Sequence, residues 1–154
     1  MSDPEGLLDT SVVLALHAIA DASALPDVAL ISAVTLAELS VGPLVATDDA
    51  ERARRLATVQ QAEADFDPLP FDAAAARAFG QVAASFRPSG RKPAARSFDA
   101  MIAATALATG LPLYTANPAD FEGIEGLVLR PVLCLEPLTA GAIRLSQPSV
   151  TDLG

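Results

Sequence analysis

Four carboxylates place the tightest constraint on how this chain folds, because each stands among residues that belong in a core. Asp9 ends the apolar run Gly6-Leu7-Leu8, and Glu38 lies inside Ala33-Val34-Thr35-Leu36-Ala37-Glu38-Leu39. Asp99 opens a stripe with Ile102, Ala103, Ala106 and Leu107 whose helical spacing turns it toward the core. Asp120 follows the strand-like segment 111–115. A half-buried carboxylate is costly unless it is paired or bound to a metal. The chain carries 10 Lys and Arg against 19 Asp and Glu, so cationic partners are scarce. A fold that gathers the four acids around a metal ion accounts for all of them at once.

The apolar pattern describes such a fold. Segments 6–9, 28–32, 111–116 and 127–132 read as short strands, with 68–71 as a weaker one. Helices are expected over 11–20 and 34–41, and after a cap at Asp48 or Asp49. Another follows a cap at Asp72, with the stripe Phe79, Val82, Ala83 and Phe86. The last begins at Ser97 or Asp99 and stops at Gly110 and Pro112, and a short helical turn covers 117–121. Strands alternating with helices imply an α/β fold with a parallel sheet covered on both faces.

Ligands bind such sheets beyond the carboxyl ends of the strands, where strand order reverses. If the strand ending at Asp9 neighbours the strand leading to Asp120, then Asp9, Asp99 and Asp120 converge and Glu38 reaches in from the second helix. Carboxylates roughly 5 Å apart repel by about 3 kcal/mol per pair at an effective dielectric near 20, so the cluster calls for divalent cations. All-oxygen ligation suits Mg²⁺ or Mn²⁺ rather than zinc.

Local readings compete with this one. Asp9-Thr10-Ser11 is also N-cap chemistry, and Asp99 suits a first helical turn near the positive end of the helix dipole. Asp120, three residues after Asn117 with Pro118 between, resembles a capping box. Glu38 has no comparable local role. One such explanation is easily accepted; four in this order are not.

At 154 residues, 51% hydrophobic and 19% charged, the chain reads as one domain over 1–154, with a core over about 6–132 and an extension at 133–154. Gly110-Leu111-Pro112 interrupts the longest alanine-rich run, so no segment reads as a membrane span. Residues 1–5 lack a basic n-region and Cys134 stands alone, so a cytoplasmic location is expected. The formal charge of −9 argues against a nucleic-acid ligand. Its distribution softens that objection, because Arg87, Arg91, Lys92 and Arg96 share one acid-free segment just before Asp99. That segment is either a solvated loop or a contact for phosphate. His17 reads as an ordinary helix residue.

Four blocks carry a family likeness: Leu7-Leu8-Asp9-Thr10-Ser11; Ser32 through Glu38 to Gly42; Phe98-Asp99-Ala100-Met101-Ile102-Ala103-Ala104-Thr105-Ala106; and Thr115-Ala116-Asn117-Pro118-Ala119-Asp120-Phe121. In this order and spacing, over roughly 6–132, the chain resembles the PIN-domain family, specifically the VapC-type toxins of bacterial toxin–antitoxin pairs. The resemblance implies an α/β/α sandwich with a central parallel sheet and an acidic, Mg²⁺-dependent ribonuclease site. Asp9, Glu38, Asp99 and Asp120 match the family's four acids, and Thr10, Thr115 and Asn117 match its accessory polar positions. On that reading Asp9 and Asp99 are the main metal ligands, with Glu38 and Asp120 completing the shell directly or through water. It further implies an RNA substrate, a VapB-type antitoxin and a homodimer, for which the alanine-rich stretches 73–76 and 103–108 offer close helix packing between subunits.

Other classes fit less well. A receiver-type phosphoacceptor domain needs a lysine at a late strand end, and Lys92 is the one lysine. A haloacid-dehalogenase-type phosphatase needs a second acid where Ser11 stands. The alternative that remains is a non-catalytic PIN-like RNA- or protein-binding module, which is expected to lose some of the acids; all four are present.

Overall fold

Short apolar runs pair in parallel at the centre of the molecule. The computed structural model describes residues 2–85 and 93–135. Strands β1 (Glu5–Leu8), β2 (Val28–Ile31), β3 (Leu113–Thr115) and β4 (Leu129–Pro131) form one sheet in the order β2-β1-β3-β4. Every pairing is parallel: Leu7 stands opposite Leu30 and Leu113, and Leu8 opposite Ile31 and Tyr114. Strand alternation then divides the core. Leu7 and Leu113 join Ile102, Ala103 and Phe121 on one face, while Leu8, Ile31 and Tyr114 join Val12, Leu39 and Ala62 on the other.

Five helices cover these faces: α1 (Thr10–Leu14), α2 (Ala33–Val41), α3 (Asp49–Asp65), α4 (Ala73–Ser85) and α5 (Pro93–Thr109). Helices α4 and α5 pack together on the first face, and α1 and α3 supply the second. Helix α2 straddles them, with Val34 in one cluster and Leu39 in the other. The result is the expected α/β/α sandwich. Three caps set helix starts: Ser32 accepts from Val34 N–H at 3.0 Å, Asp48 from Glu51 N–H at 2.7 Å, and Asp72 from Ala75 N–H at 3.0 Å.

Several local expectations are corrected. The first helix ends at Leu14 rather than continuing to residue 20. Residues 18–20 pair instead with the end of the described chain, through Leu135 N–H to the Ala18 carbonyl at 2.7 Å and an antiparallel bridge between Ile19 and Cys134. The weak strand at 68–71 shrinks to a single parallel bridge between Ser32 and Leu69, because Pro68 and Pro70 have no N–H to extend it. Helix α5 starts at Pro93, a residue whose missing N–H suits a first helical position. In α4, Ala75 and Val82 are buried while Ala83 is exposed; Phe86 lies outside the described residues. The alanines of the 103–108 stretch that were expected to face a second subunit are mostly used within the chain: Ala103, Ala104 and Ala106 are buried in the first core cluster.

The segment before β1 is tied across the sheet. Arg130 donates to both oxygens of Asp3, at 2.9 and 3.2 Å, and the Tyr114 hydroxyl donates to the same carboxylate. The guanidinium, then the phenol, hold the Asp3 carboxyl below the usual aspartate value. The Tyr114 ring lies so close over Gly6 that a Cβ there would stand 2.4 and 2.7 Å from two ring carbons. Among the described residues, no helix is long and apolar enough to cross a membrane.

Candidate active site at the strand carboxyl ends

Chain order reverses between β1 and β3, the position where this architecture leaves a crevice. Asp9 follows β1 directly, in extended backbone (φ −66°, ψ 155°), and is the N-cap of α1. Period-two alternation puts Asp9 on the side of Leu7 and Thr115 on the side of Leu113, both toward α5. The Asp9 carboxylate is 4% exposed. Its Oδ1 accepts Thr10 N–H at 2.8 Å, and its Oδ2 accepts the hydroxyls of Ser11 at 2.7 Å and Thr115 at 2.9 Å. The capping expectation is therefore met, but two further hydroxyl donors exceed what a cap needs. Burial pushes the Asp9 carboxyl above its usual value against the pull of those three donors, and the negative charge of Asp120 adds to the rise.

Thr10 links this carboxylate to Glu38. While its backbone N–H serves Asp9, its hydroxyl donates to Glu38 Oε1 at 2.8 Å and lies 3.0 Å from the buried hydroxyl of Thr35. The Thr10 hydroxyl has one proton to donate, and an ionised Glu38 carboxylate is the stronger of its two acceptors. Glu38 itself is half-buried, one helical turn beyond Thr35.

The same hydroxyls that hold Asp9 also hold the next loop. Ser11 accepts Ala116 N–H at 3.1 Å, and Thr115 accepts Asn117 N–H at 3.0 Å. This fixes the entry to the 3-10 turn Pro118–Phe121, which carries Asp120. The Asn117 side chain makes no cap bond to that turn, so the capping-box reading of Asn117 and Asp120 is corrected. Asp120 is half-buried, and its field reaches Asp9.

Asp99 comes from the opposite direction. It is 8% exposed, on the face of α5 that buries Ile102, Ala103 and Ala106, as the stripe predicted. Because α5 begins at Pro93, Asp99 sits in its second turn, and the first-turn reading is corrected. A short connection at 110–112 returns α5 to β3, so its N-terminal half lies over the strand carboxyl ends. Helix α5 packs against α2 and the turn Pro118–Phe121, the elements bearing Glu38 and Asp120. Arg96 is half-buried one turn before Asp99. Arg87, Arg91 and Lys92 lie outside the described residues.

The donors fit a hard divalent cation. All are oxygens, and the most buried carboxylate is held by uncharged donors while a second carboxylate opposes its ionisation. Among the described residues, no three His, Cys, Asp or Glu side chains are gathered closely enough to enclose an ion by themselves. The expected convergence of three or four acids around one ion is thus not seen among the described residues.

Sequence reasoning passed over Ser11 and Thr35. Ser11 was visible as a hydroxyl two residues after a carboxylate, but the cap reading absorbed it. Thr35 was visible as a hydroxyl one turn before Glu38 in an otherwise apolar helix.

Known proteins resemble this chain in sequence and in fold. The sequence profile of the PIN domain matches residues 6–127. The chain is 40% identical over 123 residues to "Ribonuclease VapC5" of Mycobacterium tuberculosis, covering 79% of this chain and 88% of that protein. It is 39% identical over 97 residues to the "tRNA(fMet)-specific endonuclease VapC" of Shigella flexneri, covering 63% and 70%. Among solved structures, it superposes with a TM-score of 0.70 and 37% identity on VapBC-5 of Mycobacterium tuberculosis, a member of the VapBC family of toxin–antitoxin systems, covering 84% of this chain and 99% of that one. DNA-bound VapBC from Salmonella typhimurium gives 0.61 at 26% identity, covering 85% and 98%.

Proposed function

The chain belongs to the PIN-domain family, and from that premise we propose that it is a divalent-metal-dependent ribonuclease acting as the toxin of a toxin–antitoxin pair. The observation that carries this reading is the Asp9 carboxylate: buried, held by three uncharged donors, and opposed by the charge of Asp120. A helix cap needs only the Thr10 N–H; the burial and the two further hydroxyl donors go beyond that role. The names of the relatives, ribonuclease and endonuclease, supply the reaction class.

Asp9 and Asp99 would hold the ion, Mg²⁺ or Mn²⁺, with Glu38 and Asp120 completing its shell directly or through water. When bound, the ion lowers the pKa of water and offsets charge gathering on the phosphate during in-line attack. Thr10 orients Glu38, Ser11 and Thr115 hold Asp9, and Asn117, whose backbone N–H is bound by Thr115, is a further polar group for the substrate. One carboxylate accepts the proton of the attacking water. Arg87, Arg91, Lys92 and Arg96 steer the RNA backbone toward this acidic end. A VapB-type antitoxin, the partner class named in the VapBC structures, inserts a basic side chain against the same carboxylates and competes with the ion.

The decisive test uses purified Asp99→Asn protein, in which shape is retained and one charge is removed. Cleavage of RNA should collapse, as it should for the wild type in EDTA. Undiminished cleavage by this variant in EDTA sinks the nuclease reading, and RNA binding without any cleavage by the wild type returns the non-catalytic alternative. Changing the four basic residues to Gln should weaken RNA binding and flatten its salt dependence while sparing metal affinity. Light scattering of the purified chain measures the expected homodimer.

A further inference from the structure

The carboxylate of Asp9 offers four lone-pair directions, two on each oxygen. Three are taken. Ser11 and Thr115 both donate to Oδ2, at 2.7 and 2.9 Å, and Thr10 N–H donates to Oδ1 at 2.8 Å. Both hydroxyl oxygens are held beside Asp9 from their other side, Ser11 accepting Ala116 N–H and Thr115 accepting Asn117 N–H, and they lie 3.5 Å from each other. One direction on Oδ1 is left.

We propose that Ser11, with Thr115, determines which cation this site accepts: by closing Oδ2 it restricts Asp9 to ligation through Oδ1 alone. This rests on the metal reading above and adds to it a residue that acts through Asp9 without touching the ion. Mg²⁺ and Mn²⁺ are satisfied by single carboxylate oxygens in a near-octahedral shell completed by water. Ca²⁺ takes six to eight oxygens and often both oxygens of one carboxylate. At Asp9 a place on the second oxygen is reached only by breaking one of two hydroxyl hydrogen bonds, each from an oxygen anchored at its other side by a backbone N–H. Ca²⁺ is thereby disfavoured, and the smaller ions lose nothing.

The test needs no RNA. The full chain, stripped of metal, is titrated with Mn²⁺ by the paramagnetic resonance signal of the free ion, with Ca²⁺ as competitor. Ser11→Ala should shift the ratio of Ca²⁺ to Mn²⁺ affinity toward Ca²⁺ by about tenfold, the lower end of what outer-shell partners contribute to metal affinity. Ser11→Thr keeps the hydroxyl and should restore the wild-type ratio. Thr115→Val opens the same oxygen from the other donor and provides the reading if Ser11→Ala does not fold. A ratio unchanged in the folded variants, or both affinities falling in parallel, overturns the proposal and leaves the metal reading standing. A wild-type chain that binds no Mn²⁺ overturns the metal reading, and the proposal with it.

Discussion

Two aspartates flank β1, and the fold treats them in opposite ways. Asp3, before the strand, receives both arms of the Arg130 guanidinium and the Tyr114 hydroxyl, and its carboxyl is held below the usual value. Asp9, just after the strand, receives one N–H and two hydroxyls, none charged, and burial drives its carboxyl the other way. The first carboxylate has its countercharge built into the chain and ties an N-terminal segment to the sheet. The second is kept buried, oriented and uncompensated. On the proposed reading, an acid whose charge the fold leaves unbalanced takes its cation from outside.

Replacing Asp9 by Asn breaks this contrast at its functional side and gives the largest expected effect. Asn keeps an acceptor for Thr10 N–H, and the hydroxyls of Ser11 and Thr115 can rotate to accept from the new amide. Cleavage should fall by more than about a hundredfold, since a ligand matters more than the outer-shell groups that support it. The desolvation cost of the charge disappears at the same time. Thermal melting at neutral pH should therefore stay level or rise by a few degrees. A variant that is both inactive and strongly destabilised would mean that Asp9 is a structural acid like Asp3.

Much of the functional side was legible in the sequence, because its signals are local. A carboxylate ending an apolar run, a glutamate inside an apolar helix and an acid at the head of a helical stripe each conflict with burial, and that conflict selects them as candidates for the proposed site. The expected neighbours β1 and β3 are observed, and Asp48 and Asp72 cap as read. What escaped was tertiary. Nothing near Leu14 announces that residues 18–20 will pair with Leu133 and Leu135, which end α1 early by claiming the backbone it needed. Ser11 looked like a capping residue because its second partner, Ala116, is 105 positions away. The Asp3 clasp was invisible for the same reason: Tyr114 and Arg130 meet it only once the sheet has formed.

The structural side breaks most sharply at Gly6. An added Cβ would stand 2.4 Å from the Tyr114 ring and 3.0 Å from Pro26, so the ring must shift and draw its hydroxyl off Asp3. Gly6→Ala should cost about 1–3 kcal/mol, the usual range for overpacking. Cleavage per folded molecule should change far less than in Asp9→Asn. Urea titration read beside an RNA assay separates the two quantities.

Acidity sharpens the contrast through opposite slopes. Because Asp3 is depressed in the folded state, its contribution to stability is present above the ordinary value of 3.8 and is lost as pH falls through the folded pKa. The melting temperature of Asp3→Asn should lie a few degrees below wild type at neutral pH, and the gap should close in acid. For Asp9 the folded state holds its proton more tightly than the unfolded chain, so stability falls as pH rises from 3.8 through the raised folded pKa. Any advantage of Asp9→Asn should thus be absent in acid and grow toward neutrality. Melting curves from about pH 3 to 8 on the three proteins check both signs, and parallel slopes would erase the distinction.

The smallest effect is expected from Tyr114→Phe, which asks what the clasp depends on. The substitution removes the hydroxyl bond to Asp3 and leaves the ring, still buried with Leu8 and Ile31, in place over Gly6. Arg130 continues to hold both carboxylate oxygens, so Asp3 keeps its countercharge and stays below the usual value. The loss should be about 0.5–1 kcal/mol, near the lower end for a single intramolecular hydrogen bond, because the Asp3 oxygen it frees is open to water. The pH dependence should remain that of the wild type, since the guanidinium dominates the depression of Asp3. If Tyr114→Phe instead flattens the acid limb as fully as Asp3→Asn, the phenol is the true anchor. The contrast between a carboxylate held by a cation and one held by neutral donors then gives way to a difference in burial alone.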